Sequence, residues 1–192
     1  RDRYKIIYGS YASTDVYYRK PLTFHTCNPQ APATSFVMVN DIHGDNKLLE
    51  DLMSRCNLTQ TDFVLFNGDM LSFINSEDQL FKGFMDTAVR LFASEIPMYY
   101  ARGNHETRGV FATEIQRYFS PCQEHLYYAF RQGPVYCIVL DTGEDKPDSD
   151  IEYAGITQYD LYRTEQSEWL ASILESTEYK DCLLYTSPSP RD

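Results

Sequence analysis

Three apolar runs, each ended abruptly by polar and charged residues, constrain this chain more than anything else in it. "SFVMV" runs into Asn40-Asp41-Ile42-His43-Gly44-Asp45. "DFVLF" runs into Asn67-Gly68-Asp69-Met70. "IPMYYA" runs into Arg102-Gly103-Asn104-His105-Glu106. Short continuous apolar runs read as buried strands, and burial on both faces is what a parallel sheet demands. Turn geometry accounts for Asn, Asp and Gly after a strand. It does not account for His43 and His105.

The segments between the runs carry helical spacing. Leu48, Leu49, Leu52 and Met53 share a face after the first run. Residues 76–93 form a longer amphipathic stretch after the second, with Ser76 as its N-cap. Strand, helix, strand, helix, strand indicates an α/β layered fold on a parallel sheet. Further on, residues 113–119 read as a short helix. Residues 125–143 read as a hairpin turning at Gln132-Gly133-Pro134. Residues 163–176 read as a helix with Trp169, Leu170, Ile173 and Leu174 on one face. Before the first run, residues 4–24 alternate loosely as two or three short strands, and the Pro-containing stretch 25–35 is a linker.

In open α/β sheets ligands bind beyond the carboxyl ends of the strands. The three polar clusters therefore converge, although 28 residues separate Asp41 from Asp69 and 35 separate Asp69 from Asn104. Carboxylate, imidazole and amide oxygen suit Mn, Fe or Zn. Neighbouring carboxylates also need a cation to offset their repulsion. The formal net charge of −11 argues against a nucleic-acid-binding surface, which needs clustered Lys and Arg. Phosphate substrates stay open, since a bound cation inverts the local potential. No apolar stretch is long enough for a spanning helix. The five cysteines form no CxxC pair, so a zinc–cysteine site is not indicated.

"DIHGD", "NGDM" and "RGNHE" together resemble the DxH, GDxx and GNH[E/D] blocks of the calcineurin-like metallophosphoesterase family, over roughly residues 35 to 181. The resemblance implies an α/β/β/α layered fold and a two-metal hydrolase acting on phosphorylated small molecules or other phosphoesters. It implies that Asp41 and His43 bind one ion, Asp69 bridges both, and Asn104 binds the second. His105 would protonate the leaving group or stabilise the transition state, with Glu106 orienting it. Arg102 would contact phosphate, as a similar arginine does in the Ser/Thr phosphatase branch. Two ions about 3.5–4 Å apart suit in-line displacement at phosphorus.

The chain departs from named branches. It lacks the "DRG" of Ser/Thr phosphatases, Ser72 stands where purple acid phosphatases carry tyrosine, and His43 stands where those enzymes often have glycine. A generic metallophosphoesterase is favoured over a purple acid phosphatase-like enzyme or a non-catalytic binding protein retaining the fold. The family's later ligands, a lone histidine and a GHxH block, are not found, and His25 and His125 read as structural. Three segments are expected: a partial β-rich segment and linker over 1–33, Ig-like in some secreted relatives; the N-terminal half of the phosphoesterase domain over 34–181; and a tail over 182–192. The tail "CLLYTSPSPRD" matches the translation of a sequencing-library adaptor and is read as an artefact. On this reading the fragment alone is inactive. Its compartment is unassigned, with a secreted or periplasmic location following if a signal segment precedes Arg1. In the acidic run 141–150, Asp141 borders the site and the rest is solvated. Tyr99, Tyr100 and Trp169 read as core, and Tyr153, Tyr159 and Tyr162 as loop packing.

Overall fold

The computed structural model describes residues 7–8, 11–12, 23–24, 28, 30–119, 125–176 and 183–184. Strands β1 (Ile7–Tyr8) and β2 (Tyr11–Ala12) form an antiparallel pair. The expectations for His25, Cys27, Cys122 and Cys182 fall outside the described residues.

The three apolar runs are β3 (Phe36–Val39), β4 (Phe63–Asn67) and β5 (Met98–Ala101). They pair in parallel in the order β3-β4-β5, with Val37 opposite Val64 and Leu65 opposite Tyr99. Between β3 and β4 lies α1 (Asn46–Ser54), capped by the Asp45 side chain on Leu48 N–H. Its buried face is Leu49 and Met53, while Leu48 is exposed.

Between β4 and β5, residues 77–93 form one continuous helix, α2, whose Ser76 cap accepts from Gln79 N–H. Two of its stretches, Phe81–Met85 and Val89–Ala93, are π-helical where an unbroken α-helix was expected. The buried residues give the reason. Leu80, Phe84, Ala88 and Phe92 recur at four-residue steps. On a 3.6-residue α-helix that stripe would drift by about 40° per step. The wider π turns hold all four against the same sheet face.

Strand β4 alternates as its pleat requires. Val64 and Phe66 point toward α1 and α2, into a core with Val39, Leu49, Phe84 and Tyr100. Phe63 and Leu65 point the other way, into a second core with Cys137, Phe130 and Tyr99. Being buried on both faces is why this run is apolar throughout. The second core lies against a sheet of β6 (Tyr128–Gln132), β7 (Val135–Val139) and β8 (Leu183–Leu184). β6 and β7 form the expected hairpin across Gly133-Pro134, and β8 joins β7 in parallel. The Tyr99 and Phe130 rings stack at 3.7 Å across the two sheets. Both rings are partly buried, so each contributes a share of the roughly 1.5–3 kcal/mol that full burial brings.

Residues Ala112–Ile115 form a 3-10 turn that leads into α3 (Gln116–Phe119). The last helix, α4 (Tyr159–Glu175), packs Trp169 on Tyr127 with ring centroids 4.9 Å apart. Trp169 is half-buried rather than core, and the helix's one buried residue is Gln166. The layering is thus helices, parallel sheet, mixed sheet and α4, and the three polar strand ends lie together at one edge of the parallel sheet.

Candidate metal centre

The strand ends are bound to one another by backbone. Asp41 N–H donates to Gly68 O at 3.2 Å, His43 N–H to Asp69 O at 3.0 Å, and Gly44 N–H to Met70 O at 2.8 Å. Asp41, His43 and Asp69 hold this geometry with φ of 56°, 50° and 55°. Left-handed backbone costs a non-glycine residue about 1–2 kcal/mol. Among the described residues Ala154 alone shares it, so the strain is concentrated on three of the four residues that the sequence assigned to metal.

Glu106 fastens the third loop to the second. Its carboxylate is 0% exposed and accepts N–H groups from Asp69, Leu71 and Gly103, each at 3.0 Å. Burial pushes this carboxyl up to about 7, and the nearby Asp69 charge adds to the rise, against the lowering by the three backbone donors. The sequence had Glu106 orienting His105. The structure gives its oxygens to backbone amides on two loops instead. Glycines allow this proximity: a Cβ on Gly68 would stand 2.8 Å from Gly103 Cα, and one on Gly103 would stand 2.1 Å from Asp69 Oδ1.

His43, Asp69 and His105 present donor atoms that all lie within 4.8 Å of one another. The two imidazoles meet edge to face, with centroids 4.8 Å apart. Asp69 is 3% exposed and also accepts His105 N–H on Oδ1 at 3.2 Å. Asp41 flanks the group, its Oδ1 3.7 Å from His43 Nε2, and its other oxygen accepts from the Asn40 amide. Asn104 precedes His105 on the loop after β5, its amide directed at Glu144 Oε2 at 3.5 Å. Imidazoles and a buried carboxylate on a pre-strained backbone are a donor set that suits Mn, Fe or Zn, so the residues present fit the ions the sequence implied.

Ser72 is a residue whose role the sequence reading missed. Its hydroxyl lies 3.1 Å from His43 Nδ1, and its carbonyl lies 3.2 Å from His105 Nδ1. One residue therefore holds the Nδ1 side of both rings. In metal sites that arrangement fixes the tautomer and presents the other nitrogen. Arg108 Nη1 stands 3.1 Å from the same His105 Nδ1. The carbonyl accepts from a protonated Nδ1 and the guanidinium donates to an unprotonated one, so this nitrogen serves one of the two contacts at a time.

Arg102 is held by Asp141. Its Nε and Nη2 donate to the two carboxylate oxygens at 3.1 and 2.9 Å. Asp141 is 0% exposed, takes a third bond from Tyr162 Oη at 2.9 Å, and its backbone is matched on both sides by the Gln166 amide. Glu144, expected to be solvated, is buried beneath Arg108 and accepts at 2.7 and 3.0 Å. Burial alone would raise the Glu144 carboxyl, but the Arg108 bonds and charge outweigh it and hold it below its usual range. His125 is away from the site, paired with Glu165 at 3.0 Å.

The family model described as calcineurin-like phosphoesterase matches residues 34–190. Twenty chains of solved structures match as well. Among them is a purple acid phosphatase from seeds of yellow lupin, Lupinus luteus, with a TM-score of 0.55 and 18% sequence identity. The match covers 81% of this chain and 30% of that one. This chain therefore spans under a third of that structure, and the likeness is one of fold. No curated protein matches.

Proposed function

Because the chain belongs to the calcineurin-like phosphoesterase family, we propose that its site serves metal-dependent hydrolysis of phosphoesters. One observation carries the reading: His43, Asp69 and His105, from loops after three different strands, bring ligand atoms within 4.8 Å. Asp41 and His43 would hold one ion, Asn104 the second, and Asp69, the buried carboxylate in the middle, would face both. When bound, such ions supply the activation of water and the charge neutralisation that in-line attack at phosphorus needs. Mn, Fe and Zn all suit the donors.

The chain's own residues do the rest. His105, held by Ser72 and close to Arg108, would give a proton to the leaving oxygen. Glu106 acts without touching substrate, by keeping Asp69 and Gly103 together. Arg102 commits two of its donors to Asp141, and the remaining ones are those it would offer to a phosphate oxygen. The substrates would be phosphorylated small molecules or other phosphoesters. Asp41, His43, Asp69 and Asn104 are a short donor set for two ions. We therefore expect this chain alone to bind metal and phosphate while turning over little.

The test is phosphate binding, followed by the 31P linewidth of inorganic phosphate with and without Zn(II). The reading predicts phosphate association only with metal, lost in Asp69→Asn. Association that ignores both metal and that substitution overturns it. Steady metal-stimulated hydrolysis of p-nitrophenyl phosphate would overturn only the expectation of low turnover.

A further inference from the structure

A cleft of about 420 Å³ opens beside His43. His43 lines it and belongs to the ligand cluster, and Ser72, whose hydroxyl lies 3.1 Å from His43 Nδ1, lines it as well. A group attached to a phosphate held at that cluster thus has this cleft next to it. Its volume lies in the range that holds drug-sized molecules.

The cleft's remaining walls define what fits. Leu71 forms apolar floor, 3% exposed, and Phe73 stands over it at 46% exposure. Gly83 keeps the helix wall low, since a Cβ there would meet Leu71 Cδ2 at 2.3 Å. The charged rim is self-neutralised: Lys82 pairs with Asp78 one turn away, at side-chain exposures of 71% and 78%. Glu77 and Asp86 add negative charge to the same helix, and the whole chain is at −11. With Lys82 matched by Asp78, and Glu77 and Asp86 on the same helix, the rim offers no net positive charge to favour a second phosphate or an acidic peptide. A neutral flat group would meet an aromatic face and an aliphatic floor.

We propose that the cleft between the 71–73 loop and the start of α2 seats the leaving group of the substrate, and that this group is a neutral, planar organic alcohol rather than a polyphosphate or a phosphoprotein. The proposal rests on the phosphoester reading of the adjoining cluster. Phe73 supplies the stacking face, and Leu71 and Gly83 set the depth.

The experiment compares phenylphosphonate, methylphosphonate and inorganic pyrophosphate on the Zn(II)-loaded chain by calorimetry. Both phosphonates carry the same charged head and neither is a substrate. Phenylphosphonate is expected to bind about tenfold tighter than methylphosphonate, an offset aromatic contact plus its burial being worth about that factor. Pyrophosphate is expected to gain nothing over methylphosphonate. In Phe73→Ala, which removes a surface side chain, the phenyl preference should fall at least about threefold. Equal binding of the two phosphonates overturns the cleft assignment while leaving the phosphoester reading intact, as does a preference for pyrophosphate. Failure of every ligand to bind the metal-loaded chain overturns both.

Discussion

The approach of Gly103 to Asp69 makes the account most exposed to a single methyl group. Gly103 carries no left-handed φ, so alanine is acceptable to its backbone, and the effect of Gly103→Ala is steric alone. The new Cβ would stand 2.1 Å from Asp69 Oδ1 and 2.4 Å from Asp69 N, against the 3.4 Å at which ordinary contact begins. Asp69 cannot swing aside freely. Its Oδ1 accepts His105 N–H, and its own N–H is held by Glu106. Overpacking of this kind costs about 1–3 kcal/mol, and losing the Glu106 bond adds about 1.5–3 kcal/mol. At about 2–4 °C per kcal/mol for a chain of this size, Tm should fall by about 5–20 °C. Displacing a central ligand by about an ångström should weaken Zn(II) binding about tenfold or more. Gly155→Ala is the control: φ is +72° and nothing lies within 4 Å. It should cost about 1–2 kcal/mol through conformation and leave metal affinity alone. Calorimetry and thermal melts read both. If Gly103→Ala melts within about 2 °C of the parent and binds metal equally, less than about 1 kcal/mol is involved, and the close approach of the two loops is refuted.

Ser72→Ala removes the hydroxyl from His43 Nδ1 but keeps the carbonyl on His105. Zn(II) affinity should drop about tenfold with Tm little changed, and an unchanged titration contradicts the positioning role. Arg102→Ala strands the fully buried Asp141. It should cost about 3–5 kcal/mol in urea denaturation, whereas a loss under about 1 kcal/mol would mark the pair as dispensable. Glu106 gives a pH signature in the metal-free chain. Its folded value, about 7, lies above the ordinary 4.5. Its contribution to stability is thus complete below about 4.5 and is lost as pH rises through about 7, a fall of about 3 kcal/mol. Denaturation at about pH 5 and about pH 8 in chelator should show this fall in the parent and not in Glu106→Gln, which cannot titrate. Equal slopes contradict it.

The strands, their parallel pairing and the convergence of the three polar clusters were legible because they follow from local signals. Apolar runs report burial on both faces, and strand ends report where a sheet gathers its polar groups. The partners of buried charges were not legible. Arg102 next to a GNHE block suggests phosphate, but nothing near it announces Asp141, 39 residues on, which occupies two of its donors. Glu106 beside His105 suggests an orienting carboxylate, yet its acceptors serve amides of Asp69 and Leu71, 37 and 35 residues back. Glu144 sits in a run that reads as solvent-facing until Arg108 folds over it. Such pairings depend on tertiary placement and leave no periodic trace. Ser72 and the π turns of α2 lie between these cases. Ser72 already stood out by replacing a tyrosine, and the four-residue stride Leu80, Phe84, Ala88, Phe92 was present to be read. In each the sign was visible and its structural meaning was not.

The central claim is that the three loops form one metal centre around Asp69. Anomalous diffraction from crystals grown with Mn(II) or Zn(II) tests it most directly. The account predicts anomalous density about 2.0–2.2 Å from an Asp69 carboxylate oxygen and from an imidazole nitrogen of His43, absent in Asp69→Asn. Density confined to other residues, or density at this place that survives Asp69→Asn, would contradict it.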